Sequence, residues 1–108
     1  LYQDKKGGLQ VQNRHSLKWH KVPYNKKSFI VNTGLALEYL TNGKYKATNH
    51  RVIFNNKKRV SIPFFYEPSY DFSLNPSLLG IKSKPRFKIN NYLTFLKGSL
   101  NKFAEYNR

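Results

Sequence analysis

The stretch TNGKYKATNHRVIFNNKKRVSIPFF, residues 41–65, combines turn chemistry with strand patterning, and its reading decides the fold. Asn42-Gly43 forces a turn because both residue types tolerate positive φ. Lys44 to Thr48 is polar enough for a small edge strand. Arg51-Val52-Ile53-Phe54 then runs into Asn55-Asn56-Lys57-Lys58, and Arg59 to Tyr66 is a second β-rich run. Two strands joined by a polar hairpin loop are expected. Side chains alternate along a strand, so His50 shares a face with Val52 and Phe54, the face expected to turn inward. Arg59 and Ser61, two residues apart, project together to one side.

Towards the N-terminus, Gly7-Gly8 opens Leu9-Gln10-Val11-Gln12, and Leu17 to Val22 alternates again until Pro23. Both read as adjacent half-buried strands. Ser28-Phe29-Ile30-Val31-Asn32-Thr33-Gly34 is a continuous β-branched and aromatic run, the composition of a central strand buried on both faces. Leu35 to Leu40 is long enough for about one and a half helical turns before Asn42-Gly43. Beyond Pro68, residues 71–85 are rich in Ser, Asn, Pro and Gly and should be irregular surface chain. From Ile89 the apolar positions Tyr92, Leu93, Leu96, Leu100 and Phe103 recur at steps of three or four, which predicts a C-terminal helix capped by Asn90 or Asn91 and packed on the outside of a sheet. No internal repeat occurs, and 108 residues suit one small domain.

The charge needs two readings. Lys and Arg number 20 against 5 Asp and Glu, a net charge of +15, which suits an anionic partner such as nucleic acid or a membrane surface. Yet Lys (15) and Asn (12) make up 27 of 108 residues, the skew that an A/T-rich coding sequence produces whatever the function. The lysines also sit beside turn residues, with no Arg-rich run or zinc-finger spacing among them. Solvated loops account for the charge better than a nucleic-acid site does. No run approaches a membrane span, the first residues resemble no signal peptide, and a cytoplasmic location is expected. The chain begins Leu1-Tyr2-Gln3 without Met, which suggests the C-terminal piece of a longer protein.

Several chemistries are excluded. With no cysteine there is no disulfide, Cys-ligated metal or thiol nucleophile. No Gly-x-Ser-x-Gly elbow occurs, the five carboxylates form no recognisable pair, and Gly7-Gly8 lacks a following helix to cradle phosphate. Histidine remains. His15 falls in a polar turn and His20 on a surface strand, both ordinary solvent positions. His50, on an apolar face, is either a satisfied core residue or a metal ligand. Arg59 with Ser61 is either a solvated hairpin end or a carboxylate grip made of a bidentate fork and one hydroxyl. Few carboxylates are present to neutralise an inward Arg59.

Taken in order, Gly7-Gly8-Leu9-Gln10-Val11, Trp19-x-x-Val22, Phe29-Ile30-Val31-Asn32-x-Gly34, Thr41-Asn42-Gly43-x-Tyr45-Lys46-Ala47-x-x-His50-Arg51-Val52 and Arg59-x-Ser61-x-x-x-Phe65 closely resemble the C-terminal half of the Fe(II)/2-oxoglutarate-dependent dioxygenases of the isopenicillin N synthase-like type. The resemblance spans residues 1–69. It implies a mainly β fold, part of a double-stranded β-helix or jelly roll, with residues 1–69 as core strands and 70–108 as irregular segment and C-terminal helix of one partial domain. It further implies an oxidoreductase that couples O2 activation and oxo-acid decarboxylation to oxidation of a small-molecule substrate, using Fe(II), 2-oxoglutarate and ascorbate as reductant.

By that resemblance His50 matches a metal ligand. Arg59 and Ser61 match the pair that grips the carboxylate of 2-oxoglutarate or, in the isopenicillin N synthase branch, of the substrate itself, and Phe65 and Tyr66 are substrate-side aromatics. The other two ligands of the family, a His-x-Asp pair, fall upstream of Leu1, so the piece alone is expected to be inactive. Its exposed strand edges are expected to promote self-association. Leu35 stands where the family often has aspartate, and Lys26-Lys27 where it often has Pro-Gly, departures that touch turns and not the site. The rival reading is a non-catalytic basic β-domain that binds nucleic acid or an anionic surface.

Overall fold

The computed structural model describes residues 1–53 and 58–101. Phe54, the loop positions Asn55 to Lys57 and Phe103 therefore lie outside the described residues. The rest consists of small antiparallel sheets and a few short helices, arranged as two compact units. One comprises Leu1–Asn32 with Thr48–Phe65, the other Thr33–Ala47 with Tyr66–Arg108.

Among the described residues the first unit holds five strands: β1 (Tyr2–Gln3), β2 (Leu9–Gln12), β3 (Trp19–Lys21), β4 (His50–Val52) and β5 (Ser61–Ile62). β2 forms the centre of a three-stranded sheet in the order β3-β2-β4, and β1 pairs with β5. The adjacency expected of β2 and β3 is thus present, with Val11 opposite His20. Among the described residues β4 and β5 do not pair with each other: β4 pairs with β2, and β5 pairs with β1, while most of the loop expected between them lies outside the described residues. Both partners come from the N-terminal segment. Six residues separate Leu9 from Gln3, while nine separate their partners Val52 and Ser61, so the register steps by three residues between the two pairings.

That step is stabilised locally. Asp4 N–H donates to Val60 O at 3.0 Å, and the Asp4 carboxylate accepts from Val60 N–H at 2.8 Å and Lys6 N–H at 3.0 Å. The hydrogen bond from Val60 holds the Asp4 carboxyl below its ordinary range against an opposing desolvation, helped by Lys6 and the charge of Arg59. Gly7 and Gly8 follow with φ of 62° and 99°. A Cβ on Gly8 would lie 3.2 Å from Ile53 O and 3.7 Å from both Arg59 Nε and Val52 Cγ1. Only glycine fits this backbone and this approach.

The run Ser28–Gly34 is not the buried central strand its composition predicts. Ile30 exchanges both backbone bonds with Leu1, at 3.0 and 2.8 Å, but Phe29 and Val31 stay exposed, Val31 at 91%. Composition reports what a strand can bury, whereas burial needs layers on both faces, and the described residues supply none there. Lys44–Thr48 forms no strand either, because Glu38 claims its polar groups: the carboxylate pairs with Lys46 Nζ at 3.1 Å and accepts from Ala47 N–H at 2.8 Å.

The second unit is helical: α1 (Leu35–Leu40), a 3-10 turn at Pro76–Leu79, and α2 (Tyr92–Leu100). α1 spans the residues expected. Gly34 gives it no side-chain cap, while Thr41 at its end donates to Leu37 O at 2.7 Å. Asn42 then takes φ 52° and Gly43 φ 83°. The Asn42 amide holds residues 83–86: its nitrogen donates to Ser83 Oγ (2.9 Å) and Lys84 O (3.1 Å), and its oxygen accepts from Arg86 N–H (2.7 Å). α2 is capped by Asn91, whose side chain accepts from Thr94 N–H at 2.9 Å. Residues 71–85 are mostly irregular, as expected, but not wholly superficial, since Leu74 and Pro76 are buried.

Tyr39 of α1 stacks on Phe87 with centroids 4.3 Å apart and meets Phe95 of α2 edge-on at 5.1 Å. Tyr92 is 3% exposed beside Phe95 and Tyr70. Burial, followed by the Glu67 carboxylate, pushes the Tyr92 hydroxyl up to about 12.

Gly8→Ala should destabilise the chain by about 1–3 kcal/mol, the cost of a strained backbone conformation at one residue, read as a lowered urea midpoint with unchanged m value. The Asp4 clamp carries a pH signature. A carboxyl lowered in the folded state stabilises above its unfolded pKa, and that stability disappears as pH falls through the lowered folded value. Unfolding midpoints measured down an acid series should fall over this range in the parent and much less in Asp4→Asn.

Candidate functional site

The strand register assigns side chains to faces, because residues directly opposite in an antiparallel pair share a face. Val11 lies opposite His20 on β3 and opposite His50 on β4. Leu9 lies opposite Val52, and its carbonyl accepts from Val22 N–H at 2.9 Å. One face of this sheet therefore carries two cross-strand rows, His20–Val11–His50 and Val22–Leu9–Val52. The other face carries Gln10, Gln12, Trp19, Lys21 and Arg51. There the Arg51 guanidinium lies 4.0 Å from the Trp19 ring centroid and its Nε donates to Gln10 Oε1 at 3.0 Å.

The inward burial expected of His50 and Val52 is not found. All three residues of β4 are exposed, whereas Leu9 on the face of His50 and Val52 is 4% exposed, so the cover over that face reaches β2 and stops short of β4. His50 Nδ1 lies 3.0 Å from Thr48 O. A carbonyl can only accept, so Nδ1 carries the proton, and in the neutral ring Nε2 is the nitrogen with the lone pair. This is the tautomer a metal-ligating imidazole uses, with its second nitrogen anchored by a backbone carbonyl.

Arg59 does not point into solvent. Its Nε donates to Gly7 O at 2.8 Å, its Nη1 donates to Ser61 Oγ at 3.1 Å, and its Nη2 is buried with no partner. Ser61 is thereby left with a free hydroxyl proton. A guanidinium nitrogen and a hydroxyl side by side, both able to donate, form a receptor for a carboxylate. Leaving a buried charged donor unpaired is costly, so Nη2 calls for a partner that the described residues do not supply. The Gly8 contact ties this grip to the histidine row: the position beside Gly8 lies 3.7 Å from Arg59 Nε and from Val52 Cγ1, and Val52 shares its face with His50.

Gln3 was not singled out by sequence reading. It lies opposite Ser61, is 4% exposed, and donates from Nε2 to Val22 O at 3.3 Å, joining β1 to the end of β3. Its Oε1 is buried without a partner, a second unsatisfied polar atom. Nothing in composition or alternation marks it, since a glutamine beside Asp4 reads as surface.

Phe65 and Tyr66 lie beyond Pro63, 76% and 96% exposed. No ring or hydrogen-bond contact joins Phe65 to His50 or Arg59 among the described residues. Asp4 is engaged by Val60 and Lys6. No group of three His, Cys, Asp or Glu capable of holding a metal occurs among the described residues. His50 thus fits a metal as one ligand of an incomplete set, and the Arg59 grip fits an oxo-acid carboxylate.

The family model described as the 2OG-Fe(II) oxygenase superfamily matches residues 1–68. Feruloyl CoA ortho-hydroxylase 2 of Arabidopsis thaliana is 35% identical over 90% of this chain and 28% of its own length. Jasmonate-induced oxygenase 1 of the same plant is 46% identical over 70% of this chain and 19% of its own. The crystal structure of a full-length Neurospora crassa protein in complex with alpha-KG superposes with a TM-score of 0.77 at 26% identity, over 93% of this chain and 33% of that one. The chain thus spans a third or less of the length of each of these proteins. With the family model covering well over half of its residues, the chain belongs to the 2OG-Fe(II) oxygenase superfamily.

Proposed function

We propose that this chain is the C-terminal part of an Fe(II)- and 2-oxoglutarate-dependent oxygenase, its two units belonging to one jelly-roll domain. The observation that carries this reading is the unpartnered Arg59 Nη2, set beside Nη1, which is bonded to Ser61. In this proposal Arg59 and Ser61 hold the distal carboxylate of the oxo-acid and His50 Nε2 is one ligand of the metal. Bound Fe(II) supplies O2 activation coupled to decarboxylation of the oxo-acid, with ascorbate as reductant. The chain itself supplies position. Gly7 O and Ser61 Oγ fix two edges of the guanidinium and leave the third for the ligand. Thr48 O fixes the imidazole ring. In this reading a His-x-Asp pair supplied from elsewhere in the complete protein completes the ligand set, since the described residues hold no complete metal site, and the chain alone is expected to be inactive. Phe65 and Tyr66 are the substrate-side aromatics of this reading, both exposed in this chain.

Arg59→Ala in the complete protein should weaken 2-oxoglutarate binding at least tenfold, since each hydrogen bond to a charged group contributes about 1.5–3 kcal/mol, while Fe(II) affinity changes little. An anaerobic titration measures both, and unaltered oxo-acid affinity would overturn the assignment. His50→Ala should abolish the visible charge-transfer band of the Fe(II)–oxo-acid complex. A retained band would show that another residue ligates the metal.

A further inference from the structure

His20 is the unexplained member of the histidine row. Alternation alone put it on a solvent strand, yet the register sets it opposite Val11 on the face that carries His50. Adjacent strands lie about 4.7–4.9 Å apart, so the two imidazoles stand about 10 Å from one another across Val11. Leu9, Val22 and Val52 form the next row on the same face, and the Arg59 grip closes the Val52 side through Gly8. The resulting surface has three polar corners, His50, His20 and Arg59 with Ser61, around half-buried Val11 and exposed Val52, Leu9 itself being buried. The reading proposed above assigns two of those corners. His20 is exposed, and no hydrogen bond to its ring is seen among the described residues, so both of its nitrogens are available to a ligand.

We propose that His20 binds the polar end of the substrate to be oxidised. That substrate is an elongated, largely apolar molecule whose carboxylate or phenol reaches His20 while its reacting carbon lies near the His50 end. The reasoning is one of length and polarity. Apolar surface at Val11 suits a hydrocarbon or aromatic body, and an imidazole can donate to a carboxylate or accept from a phenol. A molecule much shorter than about 10 Å could not touch both ends of the row. This inference rests on His50 as the metal ligand, and two linked experiments on the complete protein separate the two ideas.

In the first, the protein is loaded with Mn(II) and 2-oxoglutarate without O2, and the histidine ring resonances are followed by NMR, with His20→Gln assigning the signal. Paramagnetic broadening of the His20 ring is expected, with none in the Zn(II) form. If Mn(II) binds and the His20 signal stays sharp, the present inference fails and the metal assignment stands. If binding of Mn(II) is unaffected by His50→Ala, both fail. In the second, 4-hydroxycinnamate serves as the probe, titrated into the anaerobic Fe(II)–oxo-acid complex while the visible band is monitored. It should bind at least tenfold more weakly to His20→Val, with 2-oxoglutarate affinity unchanged, and His20→Gln should recover part of the loss. Equal affinity in His20→Val, or no binding of the probe to the parent, would overturn the proposal.

Discussion

The interrupted pairing of residues 2–12 with residues 49–53 and 60–62 is the constraint on which the first unit depends. Antiparallel strands normally continue in one register, and here the register steps by three residues between Leu9↔Val52 and Gln3↔Ser61. A step of this kind leaves backbone groups without ladder partners, which must be satisfied in some other way. Asp4 satisfies Val60 and Lys6, and Arg59 satisfies Gly7 O. Gly7 and Gly8 supply the positive φ that the step requires. The break in the ladder is therefore where Arg59 is fixed, so the same backbone irregularity that ends one sheet sets its guanidinium beside Ser61.

Charge balance explains why Arg59 keeps an unpaired nitrogen. With 20 basic and 5 acidic residues, few carboxylates are available to neutralise a guanidinium. Asp4, the acid beside Arg59 in the fold, has its oxygens held by backbone N–H groups. Glu38 is committed to Lys46 and Ala47 in the other unit. Arg59 consequently meets a carbonyl and a hydroxyl, both neutral, and keeps one nitrogen unpaired. A structural ion pair at this position would have filled it.

The second unit shows a different use of polar residues. Thr41, Asn42 and Gly43 read in sequence as a turn, and they do make one. Asn42 also bonds three groups of residues 83–86, so a short motif near the middle of the chain organises a segment some forty residues later. The aromatic cluster of Tyr39, Phe87, Phe95 and Tyr92 then supplies the apolar contact that short helices need, since helices of six and nine residues are marginal without packing.

Local signals in the sequence determined a good deal of this. Alternation placed β2 and β3, the Leu35–Leu40 helix stopped where Asn42-Gly43 demanded, and Asn91 caps α2. The pairing of Arg59 with Ser61 was also legible, because two residues apart on a strand means one face. What only tertiary structure decided is everything that depends on a distant partner. Whether β4 pairs with β5 or with β2 is a matter of loop closure and of which backbone groups lie opposite, and neighbouring residues carry no record of it. For the same reason Ser28–Gly34 has the composition of a core strand and yet stays exposed, Gln3 looks like surface and is buried, and His20 looks isolated and shares a row with His50. A residue's type sets which contacts it can make, and the register of strands far apart in the chain sets which ones it does make.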